Sequence, residues 1–121
     1  MKFSQLMEMS KEEILNLLVQ IAEDIKRASH REYIGLGWEY DPVDRQYTLK
    51  IRFRHVYLEV ESYKKFIDAV YNICEKYGFY KDTVFIFFEY NHSTLEGYVD
   101  VEIEIREEDD QEDDTDDEGE S

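Results

Sequence analysis

The side chains of this sequence that could take part in chemistry are mostly carboxylates, together with three histidines and one cysteine. Metal binding requires several ligands to converge, but His30, His55 and His92 lie far apart and show no HxH or HxxxH spacing. Cys74 is the single cysteine, so the chain forms neither an intramolecular disulfide nor a cysteine-rich zinc site. We therefore predict no metal site and no bound cofactor.

Catalytic motifs are absent from the sequence. Gly35-Leu36-Gly37 is only a fragment of a phosphate-binding loop, because it lies inside a predicted strand and no helix follows it directly. No serine or cysteine lies in the sequence context of a known nucleophile. Carboxylate pairs are too frequent in so acidic a chain to indicate an acid–base site. The sequence thus favours a non-enzymatic protein, and a small hydrolytic site built from Tyr and His is the open alternative.

The last fifteen residues, 107–121, contain eleven carboxylates and no lysine, arginine, aliphatic or aromatic residue. Such a segment cannot form a core, so we predict a disordered acidic tail. In an extended chain its charges are about 4.5 Å apart, close to the ~3.4 Å between phosphates of one DNA strand. Deleting the tail is expected to leave the fold intact and not to lower the melting temperature, because a disordered segment makes few contacts and the loss of like charges relieves self-repulsion.

Residues 1–106 have the length and composition of one folded domain. They contain 19 acidic and 14 basic residues, a net charge of −5 against −16 for the whole chain. A chain of about 100 residues buries roughly two thirds of its unfolded surface. The sequence has no run of about 18 apolar residues and no signal-peptide pattern at its start. We expect a cytoplasmic protein without membrane contact, in the host cell if a virus encodes it.

Two helices are predicted from apolar residues at helical spacing. Ser10 and Glu13 form a capping-box pattern at the start of the first helix, which ends near His30. Ser62 is a candidate N-cap for the second helix, and Gly78 is its natural stop. The predicted buried stripes are Ile14, Leu17, Leu18, Ile21 and Ile25 in the first helix, and Phe66, Ile67, Val70, Ile73 and Cys74 or Tyr77 in the second.

Four strands are predicted from alternating apolar residues. The alternation of the second strand slips by one residue near Arg54–His55, which predicts a β-bulge or a sharp bend. Asp41-Pro42-Val43-Asp44 is a predicted turn and residues 91–97 a predicted hairpin loop. The alternating residues are Ile34, Leu36, Trp38 and Tyr40; Leu49, Ile51 and Phe53, followed by Val56, Leu58 and Val60; Val84, Ile86, Phe88 and Tyr90; and Val99, Val101, Ile103 and Ile105.

The order helix–strand–strand occurs twice along the chain. Trp38-Glu39-Tyr40-Asp41 corresponds to Phe88-Glu89-Tyr90-Asn91 at an offset of 50 residues, and the two helices correspond at an offset of 52. We predict an α+β fold of two αββ units, residues 10–60 and 61–106, that form one four-stranded antiparallel sheet with both helices on one face. The alternative is a chance similarity between two amphipathic halves.

The outward residues of the second and fourth strands carry opposite charges. Opposite charges at equivalent positions favour adjacent central strands, because cross-strand ion pairs are favourable and like charges facing each other are not. Chance is the alternative here as well, since the outward faces of strands are usually charged. The basic set is Lys50, Arg52 and Arg54, and the acidic set is Asp100, Glu102 and Glu104.

An outward aromatic patch is predicted on the same face of the sheet. Phe85 and Phe87, with Tyr33 and Tyr98 nearby, make an apolar surface that water alone should not cover. The equivalent positions of the first αββ unit are the glycines Gly35 and Gly37. We predict that these four residues form the face of a sheet-to-sheet homodimer. Single-stranded nucleic acid also stacks on such faces but needs a basic rim, so direct nucleic-acid binding is disfavoured. The remaining alternative is that these side chains pack under the tail, the loops or the bulged second strand.

Two functions remain open from the sequence. The leading hypothesis is an inhibitor, with the general profile of viral and mobile-element inhibitors, that engages a basic nucleic-acid-binding protein through carboxylates mimicking phosphates. The alternative is a homodimeric interaction or structural protein that uses the aromatic sheet face and keeps the tail for solubility. The predicted partner-binding carboxylates are Glu89, Glu96, Asp100, Glu102, Glu104, Asp109, Asp110, Asp113, Asp114, Asp116 and Asp117.

Overall fold

The computed structural model describes residues 1–56, 60–91, 93–94 and 96–110. The predicted fold is confirmed, because two αββ units form one antiparallel sheet with both long helices on the same face. None of the helices in these segments combines the length and the hydropathy that crossing a membrane requires. The strands are β1 (Tyr33–Asp41), β2 (Gln46–Val56), β3 (Val84–Asn91) and β4 (Glu96–Arg106), in the sheet order β1-β2-β4-β3. The helices are α1 (Phe3–Glu8), α2 (Lys11–Ser29) and α3 (Val60–Lys76), with a 3₁₀ turn at Lys81–Thr83 and helical residues at 107–110.

The ends of α2 are set by the residues that the sequence indicated. The Ser10 hydroxyl accepts a hydrogen bond from the Glu13 amide at 3.1 Å, and the Glu13 carboxylate accepts one from the Ser10 amide at 3.0 Å. This capping box gives partners to two amides that the helix itself leaves unpaired. His30 has a left-handed backbone, with a φ of 58°, and its amide bonds back to the Lys26 carbonyl, so the helix ends there.

The start of α3 differs from the prediction, whereas its end agrees with it. The helix begins at Val60, so Ser62 lies inside its first turn and is not its N-cap, and β2 ends at Val56 instead of continuing. An apolar residue at this junction fits both the strand and the helix pattern, so alternation alone misplaces the boundary. Leu58 lies outside the described residues. Gly78 ends the helix with a φ of 87°, which glycine adopts at little cost.

The core lies between the two long helices and the inner face of the sheet. Buried positions of α2 and α3 correspond at an offset of 52 residues, because both helices present the same face to the sheet. Ile67 is only half-buried, and Tyr77 lies at the edge of the core, where its hydroxyl donates a hydrogen bond to Asp24 at 2.6 Å. The corresponding buried pairs are Ile14 and Phe66, Leu17 and Ala69, Leu18 and Val70, Ile21 and Ile73, and Ala22 and Cys74.

The two hairpins have the same register at an offset of 50 residues. Leu36 pairs with Ile51 in the first hairpin, and Ile86 pairs with Val101 in the second. At the centre of the sheet Ile51 and Val101 pair with each other. The equivalent strands β2 and β4 therefore lie side by side, and β1 and β3 form the two edges, around an approximate twofold axis that passes through this central pair.

The turns of the two hairpins are closed by side chains at equivalent positions. Asp41 accepts hydrogen bonds through Oδ1 from the amides two and three residues later, at 2.9 and 3.2 Å. Asn91 does the same at 2.9 and 3.4 Å. In such turns the side-chain oxygen takes the place of a backbone acceptor, and the turn predicted after β1 is confirmed.

The irregularity of the sheet lies in β1. Tyr33 pairs with Phe53 and Gly35 pairs with Arg52. Between these two pairs β1 has one extra residue, Ile34, that has no partner in β2, which is a β-bulge. The pairing of β2 with β4 is regular along the whole length of β2. The β-bulge predicted near Arg54–His55 is therefore wrong, because the register with β4 has no shift there.

The bulge turns Tyr33 towards the helices. Its ring packs edge-on against Phe53, with 6.5 Å between the centroids, and its hydroxyl donates a hydrogen bond to Glu23 of α2 at 2.8 Å. Ile34 is instead 46% exposed. The predictions that Tyr33 joins the outward aromatic patch and that Ile34 points inward are both wrong, because one extra residue exchanges the two sides of a strand.

Residues 107–110, at the predicted start of the tail, are helical, so the prediction of disorder is wrong for these four residues. The Asp110 carboxylate accepts hydrogen bonds from the amides of Phe3 and Ser4, at 2.8 and 3.0 Å. These amides begin α1 and have no acceptor within that helix. The sequence did not predict α1, because six residues are too few to show a helical period. The rest of the predicted tail, residues 111–121, lies outside the described residues.

Candidate protein-binding face of the sheet

The face of the sheet that points away from α2 and α3, here called the outer face, is organised in rows that run across the strands. Directly paired residues of an antiparallel sheet point to the same side, so the register defines each row. The first row is Gly37, Lys50, Glu102 and Phe85; the second row is Gly35, Arg52, Asp100 and Phe87; and Arg54, Tyr98 and Glu89 form the third. Each row therefore places one basic side chain in the middle of the sheet.

Ion pairs link the charged side chains of the outer face. Arg52 donates two hydrogen bonds to Asp100, from Nε to Oδ1 at 2.7 Å and from Nη2 to Oδ2 at 2.9 Å. Lys50 Nζ lies 2.9 Å from Glu39 of β1. These pairs and the register confirm that β2 and β4 are neighbours with opposite charges, although their antiparallel direction puts Arg52 against Asp100.

These ion pairs favour the charged forms of Arg52 and Lys50. The pKa of Arg52 is raised by its hydrogen bonds to Asp100, and the pKa of Lys50 is raised by its hydrogen bond to Glu39. Both shifts move the groups further from neutral pH. A general acid or base needs a pKa near the working pH, so neither Arg52 nor Lys50 is suited to that role.

Exposed aromatic side chains of β3 and the neighbouring β4 lie on the outer face. Phe85, Phe87 and Tyr98 are 39%, 49% and 39% exposed. The Arg52 guanidinium lies over the Tyr98 ring, 4.8 Å from its centroid, which joins the aromatic edge to the charged centre. The prediction that these three residues point outward agrees with the described geometry.

The opposite edge of the outer face is recessed, because Gly35 and Gly37 have no side chains. A Cβ added at Gly37 would meet nothing within 4 Å, and one added at Gly35 would meet only Arg52 Cβ at an ordinary 3.7 Å. Neither glycine has a positive φ. The backbone therefore does not require glycine at either position, and the result is a groove of about 530 Å³ between Ile34, Lys50 and Arg52.

The predicted partner-binding carboxylates fall into three groups. Glu89 and Glu96 are exposed at one end of the sheet, with no ion-pair partner within 4 Å in the described part of the chain. Asp100 is paired with Arg52, and Glu104 with Arg106 at 3.3 Å, while Glu102 lies opposite Lys50. Asp110 caps α1, and burial raises the pKa of the half-buried Asp109 carboxyl. The positions beyond the described residues are Asp113, Asp114, Asp116 and Asp117.

Other candidate groups lie away from this face. His30 ends α2, His55 lies in β2, and His92 is outside the described residues. Within residues 1–56, 60–91, 93–94 and 96–110, no cluster of three or more His, Cys, Asp or Glu is placed to hold a metal ion. Cys74 is a core residue as predicted, and burial raises the pKa of its thiol to about 12, which keeps it unreactive.

Comparisons with known proteins found no match to this chain. No protein-family model matches the chain, and neither the curated proteins nor the solved structures include a significant match to it.

Proposed function

We propose that this chain is a non-enzymatic binding protein that contacts another protein through the outer face of its sheet. The observation that carries this proposal is the exposure of Phe85, Phe87 and Tyr98 on a face that neither long helix covers. Aromatic residues and arginine are enriched at protein interfaces. The outer face offers both, because Arg52 lies next to the exposed Tyr98 ring and is flanked by Asp100.

The state of the carboxylates favours apolar contact over phosphate mimicry. A carboxylate that imitates a phosphate must be free to meet a basic partner, whereas Asp100 already accepts a hydrogen bond from Arg52 at each of its two oxygens. Glu104 is likewise held by Arg106. The outer face therefore offers few unpaired negative charges, but it offers three exposed aromatic rings.

The test compares two variants of the full chain that place a charge at sites of similar exposure. Phe87→Asp changes the outer face, where Phe87 is 49% exposed, and Leu15→Asp changes α2, where Leu15 is 42% exposed. Sedimentation velocity measures self-association, and immobilised chain measures capture of proteins from an extract of the source cells. We expect Phe87→Asp to lose the association that the wild type and Leu15→Asp retain. An association that survives Phe87→Asp, or a wild type without any, would contradict the proposal.

A second candidate function, inhibition of a basic nucleic-acid-binding protein, is supported by the exposed Glu89 and Glu96 and by the net charge of −16. The same capture assay separates the two candidates. Electrostatic capture weakens steeply with salt and is competed by DNA, whereas capture through Phe87 persists in high salt. Loss of a salt-sensitive partner in a Glu89→Gln/Glu96→Gln double variant, but not in Phe87→Asp, would favour the inhibitor.

A further inference from the structure

We infer that the partner of the outer face is a second copy of this chain, packed face to face about a twofold axis that runs nearly parallel to the strands between β2 and β4. This inference rests on the proposed function and names its partner. It follows from the order of the strands and the rows of the outer face, which together make the face complementary to itself.

The charges are the first part of this complementarity. A twofold axis parallel to the strands places β2 of one copy over β4 of the other. Each row of one copy then lies over the equivalent row of the second copy. Arg52 then faces Asp100 of the second copy, and Lys50 faces Glu102 of the second copy. Because Arg52 and Asp100 already pair within each chain, the dimer brings together four alternating charges that satisfy one another when water is excluded.

The shape of the face is the second part. The same axis places β3 of one copy over β1 of the other, since these strands form the two edges of the sheet. Phe85 then lies over Gly37 of the second copy, and Phe87 lies over Gly35. Exposed rings on one edge thus enter the recess on the other, where nothing in the backbone requires glycine.

Other face-to-face arrangements lack these matches. A twofold axis perpendicular to the strands places β2 over β2 and β4 over β4, so that the basic side chains face one another and the acidic ones do the same. Like charges brought together in a water-excluded contact are unfavourable. Sheets that pack face to face also keep their strands within about 30° of each other, which an axis nearly parallel to the strands provides.

The size of the face indicates a reversible dimer. Four strands about 4.8 Å apart and eight residues at about 3.4 Å each give a face of roughly 500 Å² in projection. Interfaces of standard size bury about 800 Å² per partner. The net charge of −16 on each copy adds repulsion that salt screens. We therefore expect a dimer that forms with increasing concentration and is not weakened by salt.

The first test fills the recess with Gly37→Val in the full chain. The added side chain has free space in the single copy, and a β-branched residue suits a strand, so the melting temperature should stay the same or rise. The dimer should weaken at least tenfold, the equivalent of about 1.4 kcal/mol, because the site of Phe85 from the second copy is occupied. Sedimentation equilibrium measures this, and Leu15→Ser on α2 serves as the matched control that should dimerise like the wild type.

The second test exchanges charges between copies. Arg52→Glu alone and Asp100→Arg alone should each abolish the dimer, because each places like charges over one another. An equimolar mixture of the two variants should form a heterodimer, since the introduced glutamate of one faces the introduced arginine of the other and the native pair is restored on the other side. Two copies of a single variant cannot make these matches.

The outcomes separate this inference from the proposed function. A wild type that stays monomeric, a dimer that Gly37→Val does not weaken, or a mixture that does not restore association would each overturn the inference. If the wild type is monomeric but still captures another protein in a Phe87-dependent way, only the identity of the partner is wrong. If no association depends on Phe87, the proposed function fails as well.

Discussion

Ending the chain at Arg106 is expected to lower the melting temperature by about 10 °C, against the expectation from the sequence that removing residues 107–121 leaves it no lower. A loss of roughly 1.5–3 kcal/mol has that effect in a domain of about 100 residues. The cut removes Asp110, which caps the first two amides of α1, and a helix cap is worth about 0.5–2 kcal/mol. It also removes the hydrogen bond from the Glu107 amide to the Arg45 carbonyl, at 3.1 Å, which adds about 1 kcal/mol. The Arg45–Glu107 ion pair is half exposed and contributes little.

The loss should spread to the N-terminus, because α1 is held from two sides. Phe3 is 2% exposed, and its ring packs against Tyr47 with 5.5 Å between the centroids. Arg45 lies over the same ring at 5.6 Å. A chain that ends at Asp110 keeps all of these contacts and lacks the seven carboxylates of residues 111–121, so we expect it to melt at the temperature of the full chain or slightly above. Equal melting temperatures for the chain ending at Arg106 and the full chain would show that residues 107–110 contribute no stability.

Replacing Phe53 by alanine is expected to cost about 3–5 kcal/mol, whereas the same change at Phe87 should cost no more than about 1 kcal/mol. Phe53 is fully buried, and its ring contacts Phe66 of α3 with 5.3 Å between the centroids and Tyr33 with 6.5 Å. Phe87 lies on the other face of the same sheet and is 49% exposed, so its removal leaves no cavity. Urea unfolding of both variants measures the difference.

This comparison bears on function because it asks what the outer aromatic residues are for. A small loss at Phe87 means that folding does not depend on its ring, as the proposed contact surface requires. A loss at Phe87 close to that at Phe53 would show instead that the ring stabilises the fold, and the argument for a contact surface would lose its main support.

The fold followed from the sequence because its signals are repeated and local. The capping box of Ser10 and Glu13, the stop at Gly78 and the apolar stripes of both helices are each set by residues within a few positions. The pairing of β2 with β4 followed from their opposite charges, because adjacent strands must avoid like charges.

The errors arose where the outcome depends on the rest of the chain. Tyr33 and Ile34 exchange sides because a bulge in β1 brings the Tyr33 hydroxyl to Glu23, a contact that no local pattern contains. Asp110 stands in a run of carboxylates, and nothing in that run marks it as the cap of a helix that begins more than 100 residues earlier. The sequence shows two glycines at positions 35 and 37 but not the recess that they form. The match of this recess to the β3 edge could be recognised only once the order of the strands was known.

Hydroxyl-radical footprinting of the full chain tests most directly whether the outer face is the contact surface. The oxidation of exposed side chains is measured at increasing protein concentration, or with a captured partner, and compared with the free chain. We predict that Phe85, Phe87 and Tyr98 become protected, while Phe88 on the opposite face and Tyr80 beside the 3₁₀ turn, 40% and 56% exposed, react as before. Protection of Phe88 and Tyr80 with continued oxidation of Phe85 and Phe87 would contradict the account and place the contact on the helical side.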